Sequence, residues 1–170
     1  MPRAAAPNDL FADLFAQDIG SGPRTLLEDT QGGVRYWPDF LPADLAQDWF
    51  AQLKEQVKWE AQQRPMYDRI VDVPRLVASY RLDEAGLPAP LAEGGRRLRE
   101  HLHEPSNAVG LNFYRDGRDS VAPHGDKLHM LVQGHPIALL SPGSVLRMTL
   151  RDTATRRAQD KHLQSGSLLG

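Results

Sequence analysis

The sequence predicts a mainly β domain of the α+β class, an antiparallel β-sandwich or jelly roll with N-terminal helices packed on one side. Two observations predict it. Helical apolar spacing dominates the first hundred residues, and from Asn107 onward it gives way to short apolar runs between turns. The chain also lacks cysteine, and its apolar runs fall far short of the ~20 residues of a membrane-spanning helix. Disulfides, thiolate metal centres and a membrane-spanning helix are thereby excluded.

The 170 residues suit one domain, 34–170, preceded by a flexible segment, 1–33, rich in Ala, Pro and Gly. Within that segment Leu10, Phe11, Leu14 and Phe15 recur at helical spacing, fit to dock on the protein's own core or on a partner. No basic stretch followed by an apolar run opens the chain, so a cytoplasmic protein is expected.

Val34–Trp37 reads as a strand and Pro38–Leu41 as a turn. Pro42 then suits a helix start, and Leu45, Trp49, Leu53 and Val57 step by four along one face. A second helix is expected from Pro90 to His103, with Leu91, Leu98 and Leu102 inward. Gly94 and Gly95 weaken it by about 1 kcal/mol each. Val109–Tyr114 alternates as a strand does, Arg115–Asp119 is a turn, and Pro136–Leu140 is an apolar strand. Ser141–Ser144 is a turn, Val145–Leu150 alternates again, Thr153–Asp160 is a polar connection, and Leu168-Leu169 opens a further strand.

Charge divides the chain. Residues 1–74 hold 7 Lys/Arg against 12 Asp/Glu, and residues 75–170 hold 13 against 10. A phosphate-binding surface, if present, belongs to the second half, where Arg115, Arg118, Arg151, Arg156, Arg157 and Lys161 lie in or near turns. Read singly, each of these cations is more often a solvated surface charge than a phosphate contact.

The candidate chemistry centres on His124-Gly125-Asp126. On an extended segment, residues two apart face the same side, so an imidazole and a carboxylate point into one cavity. That is half of the 2-His-1-carboxylate triad that leaves open positions on iron(II). Asn112 and Tyr114 share one face of the Val109–Tyr114 strand, opposite Val109, Leu111 and Phe113. Taken alone, a His-x-Asp is more often not a metal site, and an Asn and a Tyr opposite an apolar face suit plain solvent exposure equally well.

The order of these pieces narrows the reading. Asn112-Phe113-Tyr114-Arg115-Asp116-Gly117, then His124-Gly125-Asp126, then Pro136–Ser141, Leu150-Arg151 and Gly166-Ser167-Leu168-Leu169 together resemble the AlkB family of DNA and RNA dealkylases. Phe40-Leu41, the helix after it, and Val73-Pro74-Arg75 through Tyr80 extend the resemblance over about residues 34–170. It implies a double-stranded β-helix (jelly roll) core and a monomer. His124 and Asp126 become ligands of Fe(II), with Asn112 and Tyr114 hydrogen-bonding the co-substrate 2-oxoglutarate. The implied reaction hydroxylates an N-alkyl carbon, which leaves as formaldehyde. The implied partner is alkylated DNA or RNA carrying 1-methyladenine or 3-methylcytosine.

Met66–Arg75 is similar to a hairpin that lies over the duplex in such enzymes. Met66 and Tyr67 would then form a wedge filling the space of an extruded base, Arg75 would touch backbone or base, and Tyr80 would line the base pocket. The competing reading packs Met66 and Tyr67 on the core and gives Arg75 a surface ion pair.

The chain departs from the pattern in three places. The distal iron-ligand His and the oxoglutarate-binding Arg would follow Gly170, so a fragment of a longer protein is expected rather than a truncated remnant. His129, His135 and His162 are poorly placed substitutes. Pro142 stands where an apolar residue is usual, and Leu146 precedes Arg147 where an Arg is frequent. Two rival functions remain: an oxygenase of the same chemistry acting on a protein or small molecule, and a non-catalytic remnant.

Overall fold

The computed structural model describes residues 22–29, 32–125, 131–152 and 154–170. The stretch with Leu10, Phe11, Leu14 and Phe15, together with Asp126 and His129, lies outside the described residues. Among the described residues, nine strands and two helices follow in the order β1 (Arg24–Asp29), β2 (Gly32–Trp37), α1 (Ala43–Gln56), β3 (Glu60–Met66), β4 (Arg69–Arg81), α2 (Ala89–Leu102), β5 (Ala108–Phe113), β6 (Leu139–Ser141), β7 (Leu146–Arg151), β8 (Ala158–Leu163) and β9 (Ser167–Leu169). The protein is mainly β. All pairings are antiparallel, in open sheets ordered β1-β2-β9-β6, β3-β4-β5 and β7-β8.

Several expectations change. The helices do not precede the strands; each follows a hairpin. The segment read as loose contains β1, and the polar connection after Arg151 closes into β8 by Ala158. The apolar strand expected at Pro136–Leu140 is confined to Leu139–Ser141. Sheets of four, three and two strands do not by themselves trace the two facing sheets of a jelly roll.

The register shows where the core sits. Tyr36 pairs with Leu169 and Leu169 with Leu139, so these three share a face of the four-stranded sheet. That face packs on Leu146, Met148 and Leu163 of the β7–β8 hairpin. Trp37, Leu168 and Leu140 occupy the other face by the same register. There Leu140 joins Leu41, Ala46 and Trp49, and Trp37 meets His101 of α2 edge-on at 5.1 Å. A sheet buried on both faces requires consecutive apolar residues, hence Leu139-Leu140 and Leu168-Leu169.

The helices obey ordinary terminus rules. Pro42 precedes α1, with Asp44 in its first turn and Lys54 in its last, both favourable to the helix dipole. Pro90 stands in the first turn of α2, which ends at His103 in the left-handed region (φ 58°), its amide donating to the Arg99 carbonyl. Gly94 and Gly95 weaken α2 intrinsically but let it approach closely. A Cβ at Gly94 would lie 3.4 Å from the Trp49 ring, and one at Gly95 3.0 Å from Leu82. Gly166, at φ +81°, is stricter, since a Cβ there would stand 2.5 Å from the Leu41 carbonyl oxygen. Its own amide donates to Ser141 and its carbonyl accepts from Leu41, tying β6, β9 and the start of α1 together. No described helix is long and apolar enough to cross a membrane.

Candidate functional site

β4 organises the region that holds the predicted residues. Its 13 residues pair with β3 at one end and with β5 along the other. Leu76, Ala78 and Tyr80 lie opposite Phe113, Leu111 and Val109, so these six side chains share a face. That face turns toward α1, because Phe113 contacts Phe50 at 6.1 Å and Trp59 at 5.2 Å between ring centroids. Asn112 pairs with Val77 on the opposite face and is exposed. Tyr114, half-buried, stands one residue beyond the end of β5.

Tyr80 is thus separated from Asn112 by the thickness of the sheet. Its hydroxyl accepts the Lys58 amide at 3.2 Å. The ring lines a cavity of about 400 Å³ with Gln56, Lys58 and residues 84–88, none of which is another predicted site residue.

The β3–β4 hairpin closes on a two-residue turn, Tyr67-Asp68, between the paired Met66 and Arg69. Tyr67 is 98% exposed and held at φ 55°, left-handed backbone that costs a bulky L-residue about 1–2 kcal/mol. Met66 and Ile70 are exposed beside it. The tip therefore does not pack on the core. Ile70 escaped the sequence reading, although an isolated Ile beside a polar turn was a usable signal. Arg75 sits where the β3–β4 register is interrupted between Gln63 and Ala61. Its Nε is buried without an acceptor, and among the described residues it makes no ion pair. An unmet buried donor costs about 1–3 kcal/mol.

From Tyr114 the chain runs through a closed loop to His124. Asp119 accepts the Arg115 amide at 2.9 Å and its guanidinium at 2.7 and 2.9 Å. Those bonds hold the Asp119 carboxyl down at about 2. Asp116 accepts from Arg118 at 2.7 Å, which lowers its pKa as well. The Ser120 amide then donates to the Pro74 carbonyl at 2.8 Å, fastening this segment to β4 beside Arg75. Asp119 was not singled out in the sequence; an Asp four residues after an Arg across a Gly-containing turn was the available sign.

His124 lies outside any regular element and is exposed. Its Nδ1 is 2.9 Å from the Ala122 carbonyl oxygen. A carbonyl only accepts, so in the neutral ring Nδ1 carries the proton and Nε2 keeps its lone pair free. A metal-ligating histidine needs that arrangement. The donor type suits iron(II) at this one position. Among the described residues no group of three His, Asp or Glu converges to complete a metal centre. His135 is bonded to Glu104, and His162 is exposed on β8 opposite Arg147. No family model matches this chain, and no curated protein matches it.

Proposed function

We propose that this chain carries the body of an Fe(II)/2-oxoglutarate-dependent dioxygenase of the AlkB type, removing alkyl groups from nucleic-acid bases of the 1-methyladenine and 3-methylcytosine kind. One observation carries the reading. A single strand, β4, joins an exposed aromatic tip at Tyr67 to the strand bearing Asn112, and its Pro74 anchors the loop that delivers His124.

His124 through Nε2 and Asp126 would hold the metal, with the jelly-roll core as the implied frame. Bound there, iron(II) with 2-oxoglutarate and O2 supplies the oxidising power for hydroxylating the N-alkyl carbon. The protein's own residues do the positioning. The Asn112 amide and the Tyr114 hydroxyl supply hydrogen bonds to oxoglutarate. Tyr67 and Met66 fill the gap left by an extruded base, and the unmet Nε–H of Arg75 gains an anionic or carbonyl acceptor when nucleic acid arrives.

The test is formaldehyde release from methylated oligonucleotides by the intact gene product. Asp126→Ala and His124→Ala should each abolish it while leaving the fold unchanged by circular dichroism. Full activity in either variant overturns the ligand assignment. Oxoglutarate turnover indifferent to methylated oligonucleotides would instead favour a protein or small-molecule substrate.

A further inference from the structure

Tyr80 is the one predicted site residue that the dioxygenase assignment leaves unused. It stands on the face of β4 turned toward α1, away from Asn112. The cavity it lines, about 400 Å³, is of small-molecule size, which runs from roughly 300 to 1,000 Å³.

Three regular elements frame that cavity. Gln56 is the last residue of α1, where the Val57 amide donates to the Leu53 carbonyl at 3.1 Å. Tyr80 is paired with Val109 in the sheet. Pro88 caps α2, and its carbonyl accepts the Leu91 amide at 2.9 Å. Between Tyr80 and Pro88 the chain turns through Gly86 at φ +78°, fastened where the Leu82 amide donates to the Asn107 carbonyl at 2.8 Å. Walls built on two helix ends and a strand are in place before a ligand arrives.

The lining carries both signs of charge, uncommitted. Arg81, at the end of β4, is bound to Asp83 at 2.9 and 3.0 Å. The neighbouring Glu84 carboxylate makes no ion pair or hydrogen bond among the described residues, and neither does the Lys58 ammonium. Both side chains are exposed at the cavity's edge. The half-buried Tyr80 hydroxyl accepts the Lys58 amide at 3.2 Å, so its own proton stays available to donate. Gln56 adds an amide that both donates and accepts. Half-buried Leu87 and buried Pro88 supply apolar wall.

We propose that this cavity binds a free α-amino acid with an apolar side chain. Lys58, the Tyr80 hydroxyl and the Gln56 amide meet its carboxylate, Glu84 meets its ammonium, and Leu87 and Pro88 cover its side chain. A ligand with a single charge leaves one wall charge uncompensated, so the pair selects a zwitterion. The site lies on the far side of the sheet from Asn112 and does not depend on the proposed dealkylation.

The test is calorimetric titration of the intact protein with L-leucine, without iron or oxoglutarate. Saturable binding is expected. Leucinamide, which lacks the carboxylate, and isocaproate, which lacks the amine, should each bind about tenfold more weakly, the worth of one charge-assisted contact. K58A and E84A should each weaken leucine by a similar factor while the melting temperature of the free protein holds, because both side chains are exposed. Y80F, which keeps the ring and removes the donor, should also weaken it. S79A, on the opposite face of β4, should leave affinity unchanged. No saturable leucine binding by the wild type, or unaltered affinity in both K58A and E84A, overturns the proposal. Equal binding of leucine and its two charge-deleted analogues overturns the choice of ligand class. Displacement of leucine by oxoglutarate puts the ligand elsewhere and overturns the assignment to this cavity. Leucine binding without dealkylation by the wild type supports this site and refutes the enzyme alone.

Discussion

The four-stranded and three-stranded sheets of this molecule are put to different uses. The first is filled on both faces, by the β7–β8 hairpin on one and by helix-side residues on the other. The second is filled on one face, where Phe113, Leu111 and Tyr80 turn toward α1, while its other face leaves Asn112 exposed and its far end projects Tyr67 into solvent. Stability therefore concentrates in the first sheet. The candidate chemistry gathers in the second and in the loop that follows it. A site must expose groups that a core would have to satisfy internally, so a sheet with an open face is the cheaper place to build one.

The sharpest way to break this comparison is truncation within the doubly buried sheet. Leu168, 0% exposed, should cost about 2–5 kcal/mol when changed to Ala, read from urea unfolding. A cost below about 1 kcal/mol would mean that the central sheet is not the stabilising element. Gly166→Ala comes next, at roughly 1–3 kcal/mol, because the new Cβ meets the Leu41 carbonyl at a left-handed backbone position. A neutral result would show that the β6–β9 junction relaxes freely.

The loop before His124 provides a test in acid. The Asp119 carboxyl titrates at about 2 in the folded protein, below the ~3.9 of an unfolded aspartate. Its contribution is complete above about pH 4 and is lost as pH falls through about 2. The loss of stability over that window should be smaller in Asp119→Asn than in the wild type, measured as unfolding midpoint against pH. Equal losses would show that the Arg115 pair does not close the loop.

The smallest stability effect belongs to Tyr67→Ala, within about 0.5 kcal/mol because the ring is almost wholly exposed. Its effect on activity should nonetheless be larger for duplex than for single-stranded methylated substrate. Equal loss on both removes the wedge role.

Legibility followed periodicity. The α1 pattern of Leu45, Trp49 and Leu53 and the β5 alternation of Val109, Leu111 and Phe113 both appear where the spacing placed them. β1 was missed because Arg24–Asp29 pairs only as an edge strand, whose polar residues give no alternation. β8 was missed for a related reason: Ala158–Leu163 anchors its apolar side through Leu163. At the candidate site, the residue types of Asn112, Tyr114 and His124 were readable. The side of the sheet each would take relative to Tyr80 was not, because that depends on which strand β5 adopts as neighbour.

The sequence by itself determined the mainly β character, the two helices, the absence of thiolate chemistry and the positive excess of the second half, all of which are local or additive properties of the residues. Only the tertiary structure decided that helices and hairpins alternate, that Arg115 and Arg118 are neutralised by neighbouring aspartates, and that Tyr80 and Asn112 face opposite ways. Those outcomes turn on strand register and ion-pair geometry, where a shift of one residue reverses a face and a distance of a few ångströms decides whether a charge is already satisfied.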